Sequence, residues 1–213
     1  MILYRPTDGD PLTKRIDYRP RTCFTMTRLG GSVPAEITEI RQRLTKSLTA
    51  RDIREIDAGS RITGKDLLLK IWGMIITVPL GIAIITESMS SRTLANIFYE
   101  IGMLQSYGKE TLVIKTKHAK VPSDFVRTEY LEYDNNFEAE LDKFLDYLFE
   151  LPEYFERMAE QLENDPLLAI DYYRRAYLIT GNDIYRQKAN AIYKSSSIER
   201  RATDSVEMLL LSF

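Results

Sequence analysis

The run LGIAIIT, Leu80 to Thr86, limits the possible folds more than any other stretch, because it is almost continuously apolar. Pro79 precedes it and the polar residues from Glu87 onward follow it. A strand with apolar side chains on both faces has to be covered on both faces, which is typical of a central strand in a parallel sheet. The run therefore predicts a sheet with helices on both sides.

Further apolar runs alternate with helical patterns before and after this strand. Between the first two runs, a spacing of three and four residues predicts a helix from Pro34 to Thr49. Strand alternating with helix indicates an α/β, doubly wound parallel sheet of about five strands in the flavodoxin-like order. The other expected strands are Cys23–Thr27, 52–58, 111–115 and, at an edge, part of 125–134.

The last third of the chain carries no strand pattern after Asn136. Residues 137–151 predict an amphipathic helix that Pro152 ends, followed by further helices. We therefore expect an N-terminal arm at 1–20, an α/β domain at 21–150 and a small helical C-terminal module at 151–213.

The helical module contains a short stripe at tetratricopeptide-like spacing, formed by Ala169, Tyr173 and Ala176. The stripe predicts a docking face for a partner protein or for a second copy of the chain, that is, a homo-oligomer. The final VEMLLLSF is expected to be buried in the chain or in an interface, since exposing it costs free energy.

Composition excludes several classes of protein. The net charge of −2 over 213 residues argues against a protein that binds nucleic acid mainly through its phosphates. One cysteine, Cys23, and one histidine, His118, cannot form a metal cluster, and we expect a packed thiol and a surface-loop histidine. No apolar run reaches the length of about 18 residues that spans a bilayer, and the polar opening lacks a secretory core. The cytoplasm is the expected location, with no membrane contact and no cofactor.

The helix predicted from Leu94 to Gly108 carries an acid where a packed core would not require one. Glu100 lies on the flank of an apolar stripe, and Asn96 lies one turn earlier on nearly the same side. Their side chains are therefore expected to face a common space. By spacing alone, Glu100 could equally be a solvated acid on the helix flank.

Polar residues also follow the expected strands, where the ligand crevice of a doubly wound sheet lies. Thr27 and Arg28 lead into a Gly-Gly turn that lacks the glycine spacing of both G-x-G-x-x-G and G-x-x-x-x-G-K-[ST]. The turn is either an anion-binding loop or a plain strand-to-helix connection. Asp57 is a candidate for a sugar hydroxyl or a base edge, with a turn-capping role as the alternative. A serine-rich loop suits phosphate or ribose hydroxyls and is compatible with N-capping of the next helix; its candidates are Ser88, Ser90 and Ser91.

The segment NIFYEIG, followed by Gly-Lys and an apolar strand, resembles the Y-E-[LI]-G segment of nucleoside 2-deoxyribosyltransferase-like proteins and of the related TIR-like nucleotide-binding domains. The resemblance covers roughly residues 20–135. It implies that Glu100 attacks or stabilises C1′ of a ribosyl group while an N-glycosidic bond breaks, with Asn96 and Tyr99 beside the substrate. Glu87 stands where the transferases usually carry an Asp near the base, which favours a hydrolase over a transferase.

The implied substrate is a nucleoside, a nucleotide or NAD. Breaking the bond builds positive charge on the sugar, so an ionised carboxylate near C1′ is the expected catalyst. We expect the helix dipole to help Glu100 ionise and burial beside Phe98 and Tyr99 to oppose it.

The resemblance further implies a nucleotide-depleting effector of bacterial antiphage defence that is activated by assembly. The alternatives are a non-catalytic module that senses a nucleotide and signals to a partner through the C-terminal helices, and a scaffold whose site is vestigial.

Overall fold

A computed structural model of the chain describes residues 4–5, 8–10, 16–28, 33–60, 67–122 and 130–195. Within these ranges the chain forms a five-stranded sheet in the order β2-β1-β3-β4-β5, and every neighbouring pair is parallel. The predicted doubly wound α/β fold and its strand order are confirmed. The strands are β1 Thr22–Met26, β2 Arg54–Asp57, β3 Leu80–Ile85, β4 Glu110–Lys115 and β5 Tyr130–Glu132.

Helices cover both faces of the sheet. The chain adds β2 on one side of β1 and then adds β3, β4 and β5 in turn on the other side. Because each crossover is right-handed, this change of direction places the first helix on one face of the sheet and the next two on the other. The helices are α1 Ala35–Ala50, α2 Leu67–Thr77, α3 Ser91–Ser106, α4 Phe137–Gln161, α5 Pro166–Thr180 and α6 Ile184–Ser195, with a 3-10 turn at Ala58–Ser60. Two apolar clusters lie on the two faces of the sheet, one under α1 and α4 and one under α2 and α3.

Strand β3 is the centre of the molecule, and all six of its residues are buried. Ile82 and Ile84 belong to the α1/α4 cluster, while Ile85 belongs to the α2/α3 cluster. A Cβ on Gly81 would lie 2.2 Å from a methyl carbon of Leu104. The glycine therefore lets α3, the helix that carries Glu100, pack closely on β3.

The predicted helix end at Pro152 is wrong, because α4 continues through this proline to Gln161. Proline cannot donate to the carbonyl of Leu148, which normally weakens a helix interior. Here Phe155 and Ala159, beyond the proline, are buried in the same apolar cluster as the first half of the helix. Tertiary packing therefore holds the helix together, and the expected division between residues 150 and 151 falls inside it.

The C-terminal helices pack onto the α/β layers. The stripe Ala169, Tyr173 and Ala176 is buried in the cluster that also contains α1 and α4, so it is not an exposed docking face. At the amino ends of the strands, the backbone N–H of Arg21 donates to the carbonyl of Leu178 at 2.8 Å. Helices α5 and α6 thus share a core with the sheet.

None of the helices in the described ranges is long and apolar enough to cross a membrane. The Gly30-Gly31-Ser32 turn, residues 125–129 and the VEMLLLSF tail lie outside the described residues.

Candidate functional site

Glu100 is buried in α3, with 8% of its surface exposed. Burial on this helix is otherwise confined to apolar residues such as Ile97 and Ile101. The carboxyl group forms no hydrogen bond or ion pair with any described residue. Buried carboxylates in proteins normally have such partners, because an unpaired charge costs several kcal/mol to bury.

The side of α3 that carries Glu100 faces α2. Met103 and Tyr107 follow Glu100 by three and seven residues and so lie on the same side of the helix. The hydroxyl of Tyr107 accepts a 2.8 Å hydrogen bond from the indole N–H of Trp72 on α2. Glu100 lies about 10 Å from Tyr107 along the helix axis, toward the start of α3. The acid therefore lies near the middle of α3, on the side of the helix that faces α2.

Burial raises the pKa of the Glu100 carboxyl from its ordinary value of 4.5 to about 7. Of the two opposing effects expected from the sequence, burial therefore outweighs the helix dipole. Glu100 is the tenth residue of α3, about 13 Å from the helix start, and the influence of the dipole fades within the first turn. At neutral pH the ionised and protonated forms are both populated.

Asn96 and Tyr99 are exposed, unlike Glu100. Asn96 forms no hydrogen bond with the Glu100 carboxyl, so the expected common space for the two side chains is not formed. Tyr99 is half exposed on the outer side of the helix. Neither residue orients the Glu100 carboxyl in this structure.

The serine-rich loop lies at the start of α3, and Ser88, Ser90 and Ser91 are all exposed. Ser90 is the N-cap, since its hydroxyl accepts a 3.2 Å hydrogen bond from the N–H of Thr93. The predicted capping role is confirmed for Ser90. The Ser88 hydroxyl lies 3.1 Å from that of Thr86.

Thr27, Arg28 and Asp57 come together around an open cavity of about 740 Å3 between α1 and the carboxyl ends of β1 and β2. Its size is within the range of about 300–1,000 Å3 that small-molecule sites occupy. The remaining lining residues are Val33, Ile37, Thr38, Arg41, Gln42, Thr45 and Gly59.

Arg41 on α1 holds the acidic side chains of β2. Its guanidinium donates to Glu55 at 2.7 Å and also pairs with Asp57. Both acids point to the α1 face, since they pair in register with Cys23 and Thr25 of β1. The pairing keeps Asp57 in a fixed position as a hydrogen-bond acceptor.

Sequence reasoning missed the α1 side of this cavity. Thr38, Gln42 and Thr45 follow one another by four and three residues on the flank of the apolar stripe, and this spacing was a readable signal. Arg41 was less readable, because its pairing with β2 depends on how α1 lies over the sheet.

The buried hydroxyl of Thr27 has no hydrogen-bond partner within the described part of the chain, and neither has the hydroxyl of Thr25, two residues earlier. Thr27 is 9% exposed and lines the cavity. A buried hydroxyl without a partner costs about 1–3 kcal/mol, so a water or a ligand at this position would restore the loss.

The structure does not join all the predicted residues into one site. Glu100 does not line the cavity, and α3 covers the opposite face of the sheet from α1. The two regions are nevertheless connected, because Ile37 of the cavity wall belongs to the α2/α3 cluster together with Ile101. The chain matches no protein-family model and no curated protein.

Proposed function

We propose that the protein cleaves the N-glycosidic bond of a nucleotide, a nucleoside or NAD, with Glu100 acting at C1′. The observation that carries this proposal is a buried carboxyl group that has no partner among the described residues, on the helix that follows the central strand. Catalytic acids and bases have pKa values near the working pH for this same physical reason, burial without a compensating charge. A purely structural acid in this position would be expected to have a cation or several donors around it.

The proposed reaction uses the ionised form of Glu100. Its carboxylate oxygen approaches C1′ as the C1′–N bond breaks, and the bonding electron pair leaves with the base. Water then adds at C1′, and one of its protons goes to the carboxylate or to solvent. A nicotinamide leaving group already carries positive charge on its nitrogen and needs no proton, whereas a neutral base takes one. Because the ionised carboxylate of Glu100 carries no proton, that proton comes from solvent water.

A second candidate, a nucleotide sensor that does not cleave, is favoured by a separate observation. The cavity at Thr27, Arg28 and Asp57 lies toward α1, and Glu100 is not part of its lining. A ligand confined to that cavity would be bound without contact to the acid. Helix α5 packs against the amino ends of the same strands, which gives a route from the sheet to the C-terminal helices.

Incubation of the purified chain with NAD and a panel of nucleosides and nucleotides, followed by chromatography of the released base, tests the proposal. We expect base release by the wild type and its loss in Glu100→Gln, which keeps the shape of the side chain but removes the carboxylate. Glu163→Gln, an exposed acid at the end of α4, is the matched control.

Molecular mass is measured in the same samples, so that an enzyme that turns over only when assembled is not scored as inactive. Undiminished turnover by Glu100→Gln would refute the role of Glu100. Ligand binding by the wild type without any product, in assembled and unassembled samples alike, would favour the sensor.

A further inference from the structure

The cavity between α1 and β2 carries polar groups in a defined arrangement. Arg41 fixes Asp57 through an ion pair, so the Asp57 carboxylate in the cavity lining is a preorganised acceptor. Gln42, the next residue on α1, lines the same cavity, and its amide has no partner among the described residues. Two acceptor oxygens and one amide donor therefore face one open space.

Apolar surface lies beside these polar groups. Ile37 is buried in the cavity wall, while Val33 is 46% exposed near the start of α1. A flat ring placed against Val33 would bury apolar area and keep its polar edge toward Gln42 and Asp57. Small-molecule sites commonly combine an apolar wall with a few fixed polar groups in this way.

Arg28 supplies a positive charge that no described residue balances. The charge of Arg41 is balanced by Glu55 and Asp57, whereas Arg28 has no ion pair with any described residue. Arg28 follows β1 by two residues and lines the cavity next to the buried hydroxyl of Thr27. An anionic group on the ligand would be stabilised at this end.

We propose that this cavity binds the adenine-type base and the phosphate of a nucleotide. The exocyclic amine of such a base has two N–H donors, one for the oxygen of Asp57 and one for the oxygen of Gln42, and the Gln42 amide donates to the adjacent ring nitrogen. The phosphate lies at Arg28 and Thr27. This inference rests on the proposed function for the choice of a nucleotide and names the part that binds here. Because Glu100 does not line the cavity, that part is the adenosine-phosphate half of a dinucleotide such as NAD, whose other ribose carries the bond that is cleaved.

Binding is measured apart from cleavage by titrating AMP, IMP and adenosine into the full-length Glu100→Gln protein in a calorimeter. IMP differs from AMP by a carbonyl in place of the amine, and adenosine lacks the phosphate. We expect AMP to bind about tenfold or more tightly than IMP, since each matched pair of hydrogen bonds discriminates to this extent. AMP should also bind more tightly than adenosine, and added salt should reduce that difference.

Two variants assign the effect to residues. Gln42→Leu should reduce the preference for AMP over IMP, and Arg28→Gln should reduce the preference for AMP over adenosine. Gln187→Leu on α6 and Arg157→Gln on α4, both distant from the cavity, serve as matched controls and should keep both preferences.

Equal affinities for AMP and IMP, no measurable binding of AMP, or preferences left undiminished by Gln42→Leu and Arg28→Gln would each overturn the proposal. Because the titration involves no turnover, failure of cleavage leaves its outcome unaffected. Conversely, an active wild type that binds AMP and IMP equally would overturn the base subsite alone.

Discussion

Arg174 of α5 donates a 2.6 Å hydrogen bond to the hydroxyl of Tyr18, although 156 residues separate the two in sequence. Arg174 is almost fully buried, and its guanidinium also pairs with Asp171 and lies 5.3 Å from the centre of the Tyr18 ring. Burial and the nearby Arg174 lower the pKa of Lys109, which lies over the same ring. The residues before β1, the turn before β4 and the C-terminal helices therefore meet in one polar cluster.

The Tyr18 hydroxyl is expected to contribute to global stability. Tyr18→Phe keeps the ring beneath Arg174 but removes one acceptor from a buried guanidinium, so we expect a loss of about 1–3 kcal/mol in the free energy of unfolding. Urea unfolding followed by fluorescence and by circular dichroism measures it. Both signals should change in a single transition, because the helices and the sheet share a core. Tyr147→Phe, at an exposed tyrosine on α4, should change the stability by less than about 0.5 kcal/mol.

Glu100→Gln should stabilise the protein at high pH. The folded protein holds the Glu100 proton up to a pKa of about 7, whereas the unfolded chain releases it near 4.5. Between these values the folded state binds more protons, so stability from this group falls as pH rises from about 4.5 to 7 and stays low above that.

Between these two pKa values the wild type loses about 3 kcal/mol in the free energy of unfolding, and the glutamine variant avoids this loss. The gain of Glu100→Gln over the wild type should therefore be larger at pH 8 than at pH 4.5 in urea unfolding. The exposed Glu163→Gln should give no such difference. A gain that is independent of pH would contradict the raised pKa.

The rate of NAD cleavage should rise with pH across neutrality. Only the ionised carboxylate of Glu100 assists departure of a cationic leaving group, and its pKa is about 7. We expect kcat/KM for NAD to increase from pH 6 to pH 8 with an apparent pKa near 7 and then to level off. A flat profile, or one that declines over this range, would be inconsistent with the assignment.

Two glycines near Glu100 should respond to alanine with opposite signs. Gly108 ends α3 with φ of +64°, and a Cβ there would lie 2.9 Å from the Arg175 guanidinium. Gly108→Ala should cost about 1–2 kcal/mol, mainly for the left-handed backbone. Gly102 lies inside α3 with nothing within 4 Å of the added Cβ, so Gly102→Ala should stabilise by about 0.5–1 kcal/mol. Thermal unfolding of both variants tests the contrast.

Several features of the fold were accessible to sequence reasoning because they depend on nearby residues. The apolar run at Leu80 predicted the central strand, and Gly108 predicted the end of α3. The exposed position of His118 and the buried Cys23 thiol also followed from their immediate neighbours. Pro152 misled the prediction, since its local effect on the helix is outweighed by contacts between α4 and α5.

The amino-acid pattern alone was enough to specify the alternation of strands and helices, the strand order and the presence of an acid on α3, because these depend on periodicity and on short-range sterics. The protonation of Glu100, the pairing of Arg41 with Asp57 and the packing of α5 against Tyr18 required the folded chain. Desolvation and ion pairing depend on which distant segments surround a group, and that information is absent from the spacing of residues along the sequence.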